Sequence, residues 1–116
     1  MSESPFACVM SAIEPDKRAG HLANARELFQ SVGEIRELEN GYSFRFNDAP
    51  DLVTRIATFV QLEKLCCPFL GFLIEVEAES GPTWLSLTGR EGVKPFIQAE
   101  LSDLLGVFSP QRRGGR

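Results

Sequence analysis

Histidine occurs once in this chain, as His21, and cysteine three times, as Cys8, Cys66 and Cys67. One histidine lying 45 residues before the nearer cysteine of the pair gives no Ser-His-Asp or Cys-His constellation along the sequence. An odd cysteine count with two members adjacent does not make a disulfide framework, so the expectation is a cytoplasmic protein whose thiols stay reduced. The start, Met1-Ser2-Glu3-Ser4-Pro5, has no basic stretch leading into an apolar run and does not read as a secretory signal. Long apolar runs are lacking too. The longest, Leu65 to Ile74, has ten residues and contains Pro68 and Gly71, whereas a bilayer span takes about 20. A phosphate-binding loop is missing as well: Gly89-Arg90-Glu91-Gly92 is too short and lacks the Lys-Ser/Thr ending.

Positive charge is scarce outside the C-terminus. The formal net charge is −4, and removing Arg112, Arg113 and Arg116 leaves −7. A body this acidic repels nucleic-acid phosphates and anionic membrane surfaces, so neither is expected as a partner. Residues 109–116 read as a flexible basic tail. Residues 1–108 read as a single domain, because the length fits one and 43% hydrophobic residues, nine phenylalanines among them, suffice for one core.

The pattern along the chain predicts an α+β fold. Phe6 to Met10 is either a first strand or a buried lead-in. Glu14-Pro15-Asp16 opens a helix, with proline and an acidic residue in its first turn. Leu22, Ala25, Phe29 and Val32 give it one apolar face, Gly33 ends it, and His21 falls at a half-exposed position beside Gly20 and Asn24.

Residues 34–47 read as a hairpin. The preferred loop is Glu39-Asn40-Gly41 with Gly41 left-handed, which aligns Leu38 with Tyr42 and sends Glu37 outward with Ser43. A second helix starts at Asn47 or Asp48, with Pro50 and Asp51 in its first turn, and ends before Pro68. Its apolar positions include Leu52, Val53, Ile56, Phe59 and Val60.

Phe72, Ile74, Val76 and Ala78 alternate with polar residues as in a strand buried on one side. A turn at Ser80-Gly81-Pro82 leads to a strand with Leu85 and Leu87 inward and Trp84 outward. Thr88-Gly89-Arg90-Glu91 resembles a capping box before a last helix carrying Val93, Phe96, Ile97 and Leu101. The order (β)αββαββα predicts an antiparallel sheet of four to five strands from two hairpins, with three helices on one face. The open face near Trp84, with Arg45, Glu75 and Glu77, is then the candidate surface for homodimerisation.

One local feature points to chemistry: Glu63-x-x-Cys66-Cys67-Pro68-Phe69. Spacings of three and four residues bring Glu63, Cys66 and Cys67 to one side of a helix. A carboxylate at the end of an apolar stripe needs a partner: Arg45, Arg18, a thiol or a bound cation. A thioredoxin-like pair has two intervening residues and sits at a helix N-terminus, where the dipole lowers the thiol pKa. Here the cysteines are adjacent at the C-terminal end, where the dipole and Glu63 both oppose a thiolate. A bond between neighbours is disfavoured, since their Cα atoms lie ~3.8 Å apart and bridged pairs usually span ~4.4–6.8 Å.

A soft cation suits the same features, because the ion itself deprotonates the thiols. Cys66, Cys67 and Glu63 are therefore the candidate ligands of a soft metal or metalloid ion, with Cys8 or His21 as a further ligand if the fold brings them close. The competing readings are a binding or assembly module whose cysteines only pack in the core and an enzyme using Glu63 as a general acid–base.

The stretch Leu62-Glu63-Lys64-Leu65-Cys66-Cys67-Pro68-Phe69-Leu70-Gly71-Phe72 resembles a segment of a family of small bacterial proteins carrying the Glu-x-x-Cys-Cys-Pro-Phe motif. Residues 84–94, from Trp84 to Lys94, are similar to that family's C-terminal hairpin and helix. The likeness covers about residues 14–105 and brings a domain family but no activity. Segments with a similar cysteine pair occur beside metal-responsive regulators, so the resemblance implies a soft-metal role.

Overall fold

A computed structural model describes residues 6–105; the expected basic tail at 109–116 lies outside them. Three helices alternate with two hairpins: α1 (Pro15–Gln30), β1 (Val32–Leu38), β2 (Gly41–Phe46), α2 (Leu52–Cys66), β3 (Gly71–Val76), β4 (Thr83–Thr88) and α3 (Val93–Leu105). This is the expected α+β class with a four-stranded antiparallel sheet. Among the described residues the segment from Phe6 adds no fifth strand; it is a lead-in ending in a 3₁₀ turn at Met10–Ala12. Among the described residues no helix is long and apolar enough to cross a membrane.

The strand order is β1-β2-β4-β3, so the two hairpins meet through their second strands. In that register Tyr42 faces Leu87, Phe44 faces Leu85, and Ile74 faces Leu85 from the other side. Period-two alternation puts these residues on one face, and the helices cover it. Phe29 of α1 meets Phe44, Phe46 and Phe59 edge-on at centroid distances of 5.3, 5.5 and 5.5 Å, tying α1 and α2 to the sheet. Val93, Ile97 and Leu101 repeat every four residues and bury one face of α3.

Several local expectations are corrected. The first hairpin turns on two residues, Glu39-Asn40, and Gly41 already pairs with Leu38. Glu37 therefore faces Tyr42 on the helix side, where the Lys94 ammonium meets its carboxylate at 2.5 Å and lies 5.3 Å from the Tyr42 ring centre. The charge that made this register look unfavourable is not buried: Glu37 lies on the edge strand β1, stays exposed and pairs there with Lys94.

α2 begins at Leu52, later than expected, with Asp51 as its N-cap residue. Thr88 closes β4 and no capping box forms; α3 begins at Val93. In the second hairpin the left-handed residues are Glu79 and Ser80, each at φ 60°, with Gly81 donating to the Ala78 carbonyl. Trp84 points away from the helices as expected, yet it is only 4% exposed. The Arg36 guanidinium covers its ring at 4.1 Å, and its indole N–H donates to Glu77 at 2.9 Å.

Candidate metal centre at the end of the second helix

α2 brings the site together because its last turn carries three chemically active side chains in five residues. Glu63, Cys66 and Cys67 share one side, and the Cys67 N–H closes the helix on the Glu63 carbonyl at 2.8 Å. The Cys66 and Cys67 sulfurs are 3.7 Å apart, and the Cys67 sulfur lies 3.3 Å from Glu63 Oε2. Cys66 Sγ lies 3.8 Å from Glu63 Oε1. Both cysteines are buried.

Two residues distant in sequence complete the group. The lead-in crosses the end of α2, where the Val9 N–H donates to the Cys66 carbonyl at 2.9 Å. Phe6 anchors the same segment by packing edge-on to Phe69 at 5.2 Å, under the Arg90 guanidinium at 4.1 Å. Cys8 is thereby brought to Cys67, and the two form a disulfide with a Cα–Cα distance of 5.0 Å. That corrects the expectation of three reduced thiols. The bridge joins residues 59 apart in sequence, within ordinary disulfide reach, and leaves Cys66 as the free thiol.

His21 is the second arrival, and its expected half-exposed position is wrong. It is 3% exposed, its ring lies nearly parallel to Phe59 with centroids 5.5 Å apart, and its Nε2 lies 2.8 Å from Glu63 Oε1. The buried stripe of α1 is His21, Ala25, Leu28 and Phe29, at spacings of four, three and one. Leu22, chosen for that stripe from the sequence, is among the exposed hydrophobic residues. The signal for His21 was the helical repeat itself, with histidine in an apolar slot.

Glu63 thus finds its partners in His21 and the sulfurs, not in the arginines. Arg45 turns to Glu34 on the far face of the sheet, and Arg18 donates to the Ile13 carbonyl. Burial, followed by the neighbouring Glu63 carboxylate, pushes the Cys66 thiol from an ordinary 9.0 up to about 12. A thiol in that state is a poor nucleophile at neutral pH.

One sulfur from each of Cys8, Cys66 and Cys67 and one Glu63 oxygen all lie within 4.8 Å of one another. Zn–S bonds of ~2.3 Å place sulfurs about 3.8–4.0 Å apart around a tetrahedral or trigonal ion. The 3.7 Å between Cys66 and Cys67 already meets that spacing. His21 does not join this set; its Nε2 holds the carboxylate from behind, as a hydrogen-bonding partner does for a ligating group. No protein-family model, curated protein or solved structure matches the chain.

Proposed function

We propose that the reduced protein binds one soft metal or metalloid ion through Cys66 and Cys67, with Glu63 and Cys8 completing the ligand set. The observation that carries this reading is the convergence of three sulfurs and one carboxylate oxygen within 4.8 Å, drawn from two segments far apart in sequence. Thiolates select ions such as Cu⁺ and Zn²⁺ over hard cations. The ion supplies the driving force for removing the thiol protons, which the carboxylate and burial otherwise oppose. Glu63, oriented by His21, adds negative charge beside the ion. The Cys8–Cys67 bond must be reduced first, since it occupies two of the three sulfurs.

The test is thiol titration of the reduced native protein with and without Hg²⁺, Cu⁺ or Zn²⁺, followed by native mass spectrometry. One ion per chain should protect Cys66 and Cys67 together, and Cys66→Ser should abolish that protection. If neither thiol reacts before unfolding and no ion is retained, the cysteines are core packing.

In that event the open sheet face becomes the place to look, as a surface for a second copy of the chain. Leu73 there is 59% exposed, but Trp84 is already covered from within the chain. Light scattering over a concentration series distinguishes dimer from monomer.

A further inference from the structure

A cavity of about 280 Å³ opens beside the sulfur cluster, between the three helices and the sheet. Three of the four ligand candidates, Cys8, Glu63 and Cys66, belong to its wall, so cavity and cluster form one continuous site. Leu22 of α1 and Glu100 of α3 line it too, and both are exposed, so it reaches the surface between those helices. Cys8 is half-buried and the Glu63 side chain 16% exposed, which leaves two of the ligand residues open to an incoming molecule. The rest of the wall is mostly apolar, with Phe29, Phe59 and Phe96 in it.

That wall restricts what the bound centre can carry. A hydrated ion keeps water wherever the protein supplies no ligand, and apolar side chains offer that water no hydrogen bonds. A carbon substituent in place of the water removes the cost. A cavity of about 150 Å³ takes one benzene ring, so this one has room for a ring and for its bond to the cluster. Phenylalanines in the wall add edge-to-face contacts. On the other side, Cys66 and Cys67, 3.7 Å apart, offer two thiolates to one soft centre. A centre that takes two thiolates and keeps one aryl group is a trivalent aryl metalloid.

We propose that the reduced site accepts a trivalent aryl arsenical, bonded to Cys66 and Cys67 with its ring in the cavity. The assignment rests on the ion-binding reading of the same sulfurs and names the class of substrate. The ring takes the place that Cys8 has around a bare ion. In the aryl arsonous acid, arsenic carries two hydroxyls. Two As–O bonds break and two As–S bonds form, and each thiol proton leaves with a hydroxyl as water. Arsenic stays trivalent, so no oxidant or reductant is consumed.

The experiment uses the full chain, reduced with a phosphine that is then removed. It is titrated with phenylarsonous, methylarsonous and arsenous acids, and binding is read as protection of Cys66 and Cys67 from alkylation. Relative to their affinities for a small dithiol in solution, the phenyl compound should bind at least about tenfold more tightly than the methyl one, because only its ring fills apolar space. The bound ring protons should show nuclear Overhauser contacts to Phe29, Phe59 and Phe96. Ala25→Leu enlarges a side chain of the cavity wall and should weaken phenylarsonous acid while leaving arsenous acid unchanged. Should that variant fold poorly, the Overhauser contacts in the unaltered chain decide. Equal preference for phenyl and methyl overturns the assignment, as does a bound ring without those contacts or an affinity that Ala25→Leu leaves unchanged. If none of the three acids protects the thiols while Hg²⁺ does, the aryl assignment falls alone. If Hg²⁺ also fails, the ion-binding reading falls with it.

Discussion

His21, Glu63 and Cys66 form a chain of contacts in which each residue sets the state of the next. The imidazole holds the carboxylate at 2.8 Å, and the carboxylate, after burial, keeps the Cys66 thiol protonated. Since the pKa rises from 9.0 to about 12, folding favours the protonated thiol. That contribution to stability is complete below pH 9 and is lost as pH rises from 9 towards 12. In the oxidised protein Cys66 is the free thiol, so its alkylation at pH 8 should run at least ~10-fold slower than that of an unstructured cysteine. Glu63→Gln removes the negative charge but leaves the burial. Its Cys66 should titrate below 12 and still above 9, read from thiolate absorbance. A Cys66 that alkylates like a free thiol would refute the burial account. Of these three residues, the Glu63–Cys66 pairing was legible from helical spacing. His21 was not, because a stripe counted from Leu22 looked as regular as one counted from His21.

The elements show where a side chain is forbidden and where one is welcome. A Cβ on Gly41 would lie 1.9 Å from the Leu87 carbonyl oxygen, so β2 approaches β4 closely only because that position is bare. Sequence reading assigned Gly41 to a left-handed turn; its real role is this contact between neighbouring strands. Gly41→Ala should destabilise the fold by about 3 kcal/mol, the upper part of the range for overpacking a tight site. Gly20 lies inside α1, where an added Cβ meets nothing within 4 Å. Gly20→Ala should therefore stabilise by about 0.5–1 kcal/mol. Urea titrations of the two variants should move in opposite directions, and a stable Gly41→Ala protein would overturn the close-approach account. Element order was legible because each segment carries its own period. The Glu39-Asn40 turn was not, because local pattern could not show that Glu37, on the helix side of an edge strand, stays exposed and meets Lys94, 57 residues further on.

At the scale of the whole molecule, the hairpin order could not be read from local pattern, since β2 pairs with β4 across 43 residues, Ser43 against Ser86. The same holds for Cys8. Nothing in its neighbourhood announces a bond to Cys67; the fold supplies it by laying the lead-in over the end of α2. That bridge closes a loop of about 60 residues, for which the chain-entropy relation gives about 4 kcal/mol through restriction of the unfolded chain. Oxidised protein should thus resist urea more than reduced protein by roughly that amount, and Cys8→Ser should behave as the reduced form under both conditions. The variant also separates the bridge from the proposed ion. Reduced Cys8→Ser retains Glu63, Cys66 and Cys67, so ion binding should weaken without vanishing. In the unaltered chain, a bound ion should restore part of the stability that reduction removes, because binding to the folded state alone shifts the equilibrium towards it. Denaturant midpoints of four samples decide this: oxidised, reduced, reduced with ion, and Cys8→Ser with ion. If the ion leaves the reduced midpoint unchanged, the sulfurs do not bind it in the folded protein. If it stabilises Cys8→Ser as strongly as the unaltered chain, Cys8 serves only the bridge.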